Sequence, residues 1–127
     1  MSIDHSKLWA EGKYVDLWTI PHILSGVIMA GSFYWLGFSF WPNIISSIIL
    51  MIGWEFFELH FLGIHEHLSN KVMDVVTGII GFFAMYGFII KYSINKLTTP
   101  LSIIIIIFIF LNFWGYLAYE KRSGKIS

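Results

Sequence analysis

Polar residues punctuate this chain in short groups, and between them lie four long apolar stretches. Each stretch is close to the roughly 20 residues that carry a helix across about 30 Å of hydrocarbon. The pattern predicts spans at about residues 18–40, 43–63, 72–90 and 101–119. Thr99 followed by Pro100 reads as an N-cap with a proline at the first helical position. Ser69 and Asn70 read as caps of the third helix, and Trp41-Pro42-Asn43 as a tight turn that makes a hairpin of the first two. Residues 1–17 set Leu8, Trp9, Tyr14, Val15 and Leu17 among charges, which suits a short interfacial segment interrupted at Gly12. Residues 120–127 form a polar tail. The expectation is one all-α membrane domain, a polytopic four-transmembrane-helix bundle with no internal repeat.

Composition narrows the class. Hydrophobic residues make up 57% of the chain and charged residues 13%, half of the roughly one quarter usual in soluble domains. Eight basic residues balance eight acidic ones, which argues against a nucleic-acid partner. There is no cysteine, hence no disulfide, thiolate nucleophile or cysteine-ligated metal. The first apolar run starts late and is too long for an h-region, so a cleavable signal peptide is not expected. Trp9, Trp18, Trp41, Tyr92, Trp114, Tyr116 and Tyr119 lie near span ends, as an interfacial aromatic belt would.

Charge sets an expected orientation. Four spans place both termini and the loop between spans two and three on one side, with Lys7, Lys13, Lys71, Lys121, Arg122 and Lys125. The other side holds Lys91 and Lys96. The positive-inside rule then puts both termini in the cytoplasm.

Intramembrane ionisable groups are the candidates for function. Counted from the outer end of each expected span at 1.5 Å per residue, Glu55 lies about 18 Å in, Glu58 about 22 Å, Asp74 about 25 Å, His22 about 27 Å and Asn112 about 17 Å. Each helix thus brings a polar group to the inner half of the bilayer. Glu55 and Glu58 share a face that Met51 and Ser47 continue. His22, Ser25, Gly26 and Met29 form a stripe on the first helix, and Asp74, Gly78, Gly81 and Met85 on the third. Small residues let membrane helices approach closely, so these stripes are expected to face the interior.

Two carboxylates close together in hydrocarbon need a compensating charge: a proton, a cation or a protonated imidazole. A carboxylic acid beside an imidazole can do general acid–base work. His22 and Glu55 are the acid–base candidates, Glu58 and Asp74 their partners, and Asn112 an orienting group. The metal signal is weak. Glu55-x-x-Glu58 lacks the Glu-x-x-His of di-iron bundles, and His65 and His67 are weak loop candidates. The sequence names no cofactor: only His22 suits a haem, and there is no P-loop, nucleotide fingerprint or nucleophile elbow.

The order of these residues resembles the VanZ-like family of small bacterial membrane proteins over roughly residues 14–90. The matching positions are Asp16, His22 with Gly26, Glu55 with Glu58, and Asp74 with Gly81. Residues 69–74, Ser-Asn-Lys-Val-Met-Asp, resemble the family's polar lead-in to the third helix. The chain departs from the family at Lys71, where many relatives carry Arg, and at Gly78, where many carry Asn. The resemblance implies an integral protein of the bacterial inner membrane, with relatives tied to glycopeptide-antibiotic tolerance. It also implies a membrane lipid or lipid-linked substrate, with Asp16 and Asn70 joining the binding residues. The leading expectation is recognition or modification of such an amphiphile at a polar pocket in the cytoplasmic leaflet. The alternatives are a non-catalytic assembly or resistance factor with a structural polar layer, possible as a homo-oligomer, and proton or cation translocation. The last is weakened by the lack of an ionisable relay in the outer half.

Overall fold

The computed structural model describes residues 5–10, 12, 14, 16–64, 67–92 and 94–122, the side chains of 5, 6 and 94 excepted. A 3-10 helix (His5–Trp9) precedes α1 (Thr19–Trp35), α2 (Phe40–His60) and α3 (Leu68–Ile89). A second 3-10 turn (Ile94–Lys96) leads into α4 (Thr98–Arg122). The described residues are all-helical outside turns, with no strand.

Three helices, α2, α3 and α4, are long and apolar enough to cross a membrane. The expected first span is shorter than the composition suggests: α1 has 17 residues, about 25 Å of helix. It ends early because the chain turns at Gly37, whose φ of +96° is a conformation glycine adopts without a Cβ penalty. Ser39 is extended and α2 starts at Phe40. Trp41-Pro42-Asn43 is therefore the first turn of α2, not a loop. Proline is tolerated there because its missing N–H has no intrahelical partner to lose.

The expected caps of α3 also shift. The helix starts at Leu68 after an extended His67, whose side chain makes no capping bond. Ser69 and Asn70 lie inside the first turn, and the Asn70 amide is used elsewhere. At α4, the helix begins one residue before Thr99, with Pro100 still in the first turn.

The tightest pairing is α1 on α3. A Cβ on Gly26 would overlap the Gly78 carbonyl, and one on Gly81 would overlap the Ile23 carbonyl. Both helices meet backbone to backbone, as small-residue stripes allow in membranes. Distal to this crossing, Ala30, Phe82, Met85, Ile89, Leu97 and Leu101 form the apolar core. Ile49, Ile106, Ile109, Phe110 and Phe113 point outward and are more than half exposed. Apolar side chains on the outside suit a hydrocarbon solvent.

One polar contact ties α1 to α2, and a second within α2 supports it. The fully buried Asn43 donates from Nδ2 to the Ala30 carbonyl at 2.9 Å, and Ser47 Oγ lies 3.4 Å from Asn43 Oδ1. Asn43→Leu is expected to cost about 1–2 kcal/mol, the range for interhelical hydrogen bonds in model membrane helices. The check is a lowered melting midpoint in detergent without loss of helical circular dichroism.

Trp9 departs from its expected place in an interfacial belt: it is fully buried. Its ring packs edge-on against Trp18 and Trp114, with centroids 4.8 and 5.4 Å apart. The Trp18 indole donates to the Trp9 carbonyl at 3.0 Å. Gly115 makes the space, since a Cβ there would come within 2.7 Å of the Trp9 ring. The 3-10 helix is thus locked onto the start of α1 and onto α4.

Candidate functional site

Three buried stripes converge. The buried residues of α2 are Asn43, Ser47, Met51 and Glu55, a strict four-residue repeat that places Glu55 on the inner face. Those of α3 include Asp74, Thr77, Gly78 and Gly81. On α1, His22 lies one turn before Gly26, which touches the α3 backbone. Close approach of α1 and α3 at these glycines brings His22 Nε2 within 3.3 Å of Asp74 Oδ2. Glu55 completes the group: one ligand-type atom from each of His22, Glu55 and Asp74 lies within 4.8 Å of the other two. Asp74 is 3% exposed and Glu55 8%, so the cluster is shielded from solvent.

The observed helix ends explain why these residues meet, although the expected depths were spread over about 9 Å. Glu55 lies fifteen residues from the start of α2, His22 thirteen from the end of α1, and Asp74 fifteen from the end of α3. At 1.5 Å per residue these are about 22, 20 and 22 Å from the same end of the bundle. Asn112, fourteen residues into α4, comes out at about 21 Å. The polar layer is therefore flatter than the sequence suggested.

The remaining candidates separate into three groups. Glu58 is half-buried, accepts a 2.7 Å bond from the Trp54 indole on its own helix, and stands outside the triad. Asn112 donates to the Phe108 carbonyl one turn back at 2.7 Å. Asp16 and Asn70 form a second cluster at the end of the bundle. Asn70 Nδ2 donates to Asp16 Oδ2 at 2.8 Å and to the Gly12 carbonyl at 2.9 Å. The Gly12 N–H donates to the same Asp16 oxygen at 2.9 Å, and the Asp16 N–H to Thr19 Oγ1 at 3.2 Å. These bonds tie the N-terminal segment to α3 and to the first turn of α1. His67 is exposed, and His65 lies outside the described residues.

A cleft of about 480 Å³ opens beside the triad. Its floor is α1, through Pro21, His22, Ser25 and Met29, and its walls are α2 and α4. It exists because α1 contacts both walls while no substantial contact joins α2 to α4. Leu50, Met51, Trp54 and Phe108 make most of the wall apolar, and His22, Glu58 and Asn112 supply polar positions. His22 belongs both to the cleft and to the triad.

Chemically, a carboxylate in contact with an imidazole can hold the ring in one orientation and exchange a proton with it. Among the described residues, His22, Glu55 and Asp74 are the set of donors compact enough to hold a metal ion. The sequence names no metal site and offers His65 and His67 only as weak candidates. The signal that finds the buried set instead is its position on the small-residue stripes, which mark the faces brought into contact. No family model, curated protein or solved structure matches this chain.

Proposed function

We propose that this chain is a VanZ-like integral protein of the bacterial inner membrane that recognises or modifies a lipid or lipid-linked amphiphile. In this reading α1 crosses with the other three helices and both termini are cytoplasmic. The observation that carries it is the cleft. Its volume lies in the range of about 300–1,000 Å³ typical of small-molecule sites, mostly apolar with a few placed polar groups. Its walls are two helices long and apolar enough to cross a membrane. An acyl chain would enter sideways between them and lie along Met29, Leu50 and Phe108. Its headgroup would meet His22, Glu58 and Asn112. His22 and Glu55 serve as acid and base, Asp74 orients the imidazole, and Asn112 orients the headgroup. Asp16 and Asn70 hold the N-terminal segment across the end of the bundle.

Native mass spectrometry of gently extracted protein tests this. Wild type is expected to carry about one lipid per chain. Filling the cleft with Met29→Trp together with Leu50→Trp is expected to lower that occupancy about tenfold. In cells, His22→Ala with Glu55→Gln should abolish any effect of the protein on envelope lipids. Equal lipid occupancy in the filled and open proteins would remove the basis for the reading.

A second reading, a non-catalytic assembly or resistance factor, is favoured by the Asp16–Asn70–Gly12 and Asn43–Ala30 bonds, each of which joins elements rather than facing the cleft. In that case Glu55→Gln lowers the melting temperature and abolishes no separate activity. Proton or cation translocation has less support. The buried polar residues distal to Glu55 on α2 are Ser47 and Asn43, and neither ionises.

A further inference from the structure

We infer that His22, Glu55 and Asp74 form a binding site for one divalent transition-metal ion. The inference rests on the three donors and their surroundings, not on what fills the cleft. With the ion bound, His22, Glu55 and Asp74 serve as its ligands in place of the acid–base and orienting roles proposed above.

Geometry comes first. Zn²⁺ binds imidazole nitrogen at about 2.0–2.1 Å and carboxylate oxygen at about 2.0–2.2 Å, which puts neighbouring donors of a tetrahedron about 3.4 Å apart. His22 Nε2 and Asp74 Oδ2 already stand at that separation, 3.3 Å. No pair in the triad exceeds 4.8 Å, so closing the set onto one ion takes a shift of about 1.4 Å at most. Side-chain rotation at Glu55 can supply it, because a glutamate has three rotatable bonds and reaches from a different helix than the other two.

Charge points the same way. Two carboxylates shielded from solvent are costly to keep ionised without a cation. A divalent ion with one neutral imidazole and two carboxylates is electrically neutral overall, which removes that cost. Donor chemistry narrows the ion. One nitrogen and two oxygens, without sulfur, suit Zn²⁺, Mn²⁺ or Fe²⁺. The imidazole disfavours Mg²⁺ and Ca²⁺, and the lack of thiolate disfavours Cu⁺. Zn²⁺ binds most tightly of the three suited ions in a given site.

Each ligand comes from a different helix, and each lies about 20–22 Å along its helix from one end of the bundle. Three protein ligands leave a fourth position, as catalytic zinc sites do. His22 also lines the cleft, so the ion would sit at the cleft wall, where an anionic or hydroxyl group of a bound molecule can complete the coordination.

Elemental analysis of the full chain, extracted without chelator and desalted in detergent, is expected to find about one zinc, manganese or iron per chain. Chelator-stripped protein should take up Co²⁺ at one per chain, with a visible absorption band of a four- or five-coordinate nitrogen–oxygen site. Asp74→Asn and Glu55→Gln should each reduce Co²⁺ uptake at least tenfold. His67→Ala, at an exposed position, should leave it unchanged. If the carboxylate variants fail to fold, the wild-type chain alone still decides: Zn²⁺ but not Mg²⁺ should raise its melting temperature. Folded wild type with no metal, no Co²⁺ band and no Zn²⁺-dependent stabilisation would overturn the site. So would uptake that is lost in His67→Ala and kept in Asp74→Asn.

Discussion

Gly81→Ala is expected to destabilise the protein by about 3 kcal/mol, the upper end for overpacked sites. The new methyl group would fall on the Ile23 carbonyl of α1. No rotamer change relieves that clash, because both partners are backbone; the two helices must move apart. Gly26→Ala is expected to act in the same way against the Gly78 carbonyl. Separating α1 from α3 would also pull His22 from Asp74, so either variant should lose the site along with the packing. The comparison is with helical glycines in open surroundings. Gly53 in α2 and Gly87 in α3 have nothing within 4 Å of a would-be Cβ. Alanine there should be neutral or stabilise by about 0.5–1 kcal/mol through helix propensity. Melting of the four variants in one detergent checks this. Similar losses at all four positions would mean that close approach of α1 and α3 is not what the glycines provide.

Asp74→Leu is expected to cost about 1–3 kcal/mol, the usual penalty for leaving a buried polar group without its hydrogen-bond partner. The carboxylate meets His22 at 3.3 Å in a place where little water reaches, with side-chain exposures of 2% and 15%. Losing it leaves the imidazole with Glu55 as the remaining carboxylate of the cluster. His22→Leu alone should cost nearly as much, because the carboxylate then remains. The double variant should recover part of the loss, with a coupling of about 2 kcal/mol. Strictly additive penalties would show that the two residues act separately, and both the acid–base pairing and the metal site would lose their geometric foundation.

Much of this architecture could be read from the chain because hydrocarbon imposes strong rules. Long apolar runs announce helices, and an ionisable residue deep in such a run is held there by partners. Glu55 was legible in that way, through its place in a long apolar segment and on the Ser47–Met51 face. Gly26, Gly78 and Gly81 also gave themselves away, because small residues at helical spacing mark contact. Helix ends were less legible. Trp41-Pro42-Asn43 has the composition of a turn, yet the reversal lies a few residues earlier, at Gly37. Pro42 fits a first helical turn as well as a loop, so local composition did not distinguish the two. That shift of a few residues moved His22 and Glu55 in opposite directions along the bundle and concealed that they stand level. Trp9 was misplaced for another reason. An aromatic residue among charges suggests an interface, and only the gap left by Gly115, more than 100 positions later in the chain, reveals a socket for it.

That socket carries a consequence for biosynthesis. Its parts come from Trp18 near the beginning and from Trp114 and Gly115 near the end. Translation delivers Trp9 long before the far wall exists, and chains organise from the N-terminus as they emerge. Trp9 is thus made early and seated late, and its docking reports that α4 is in place.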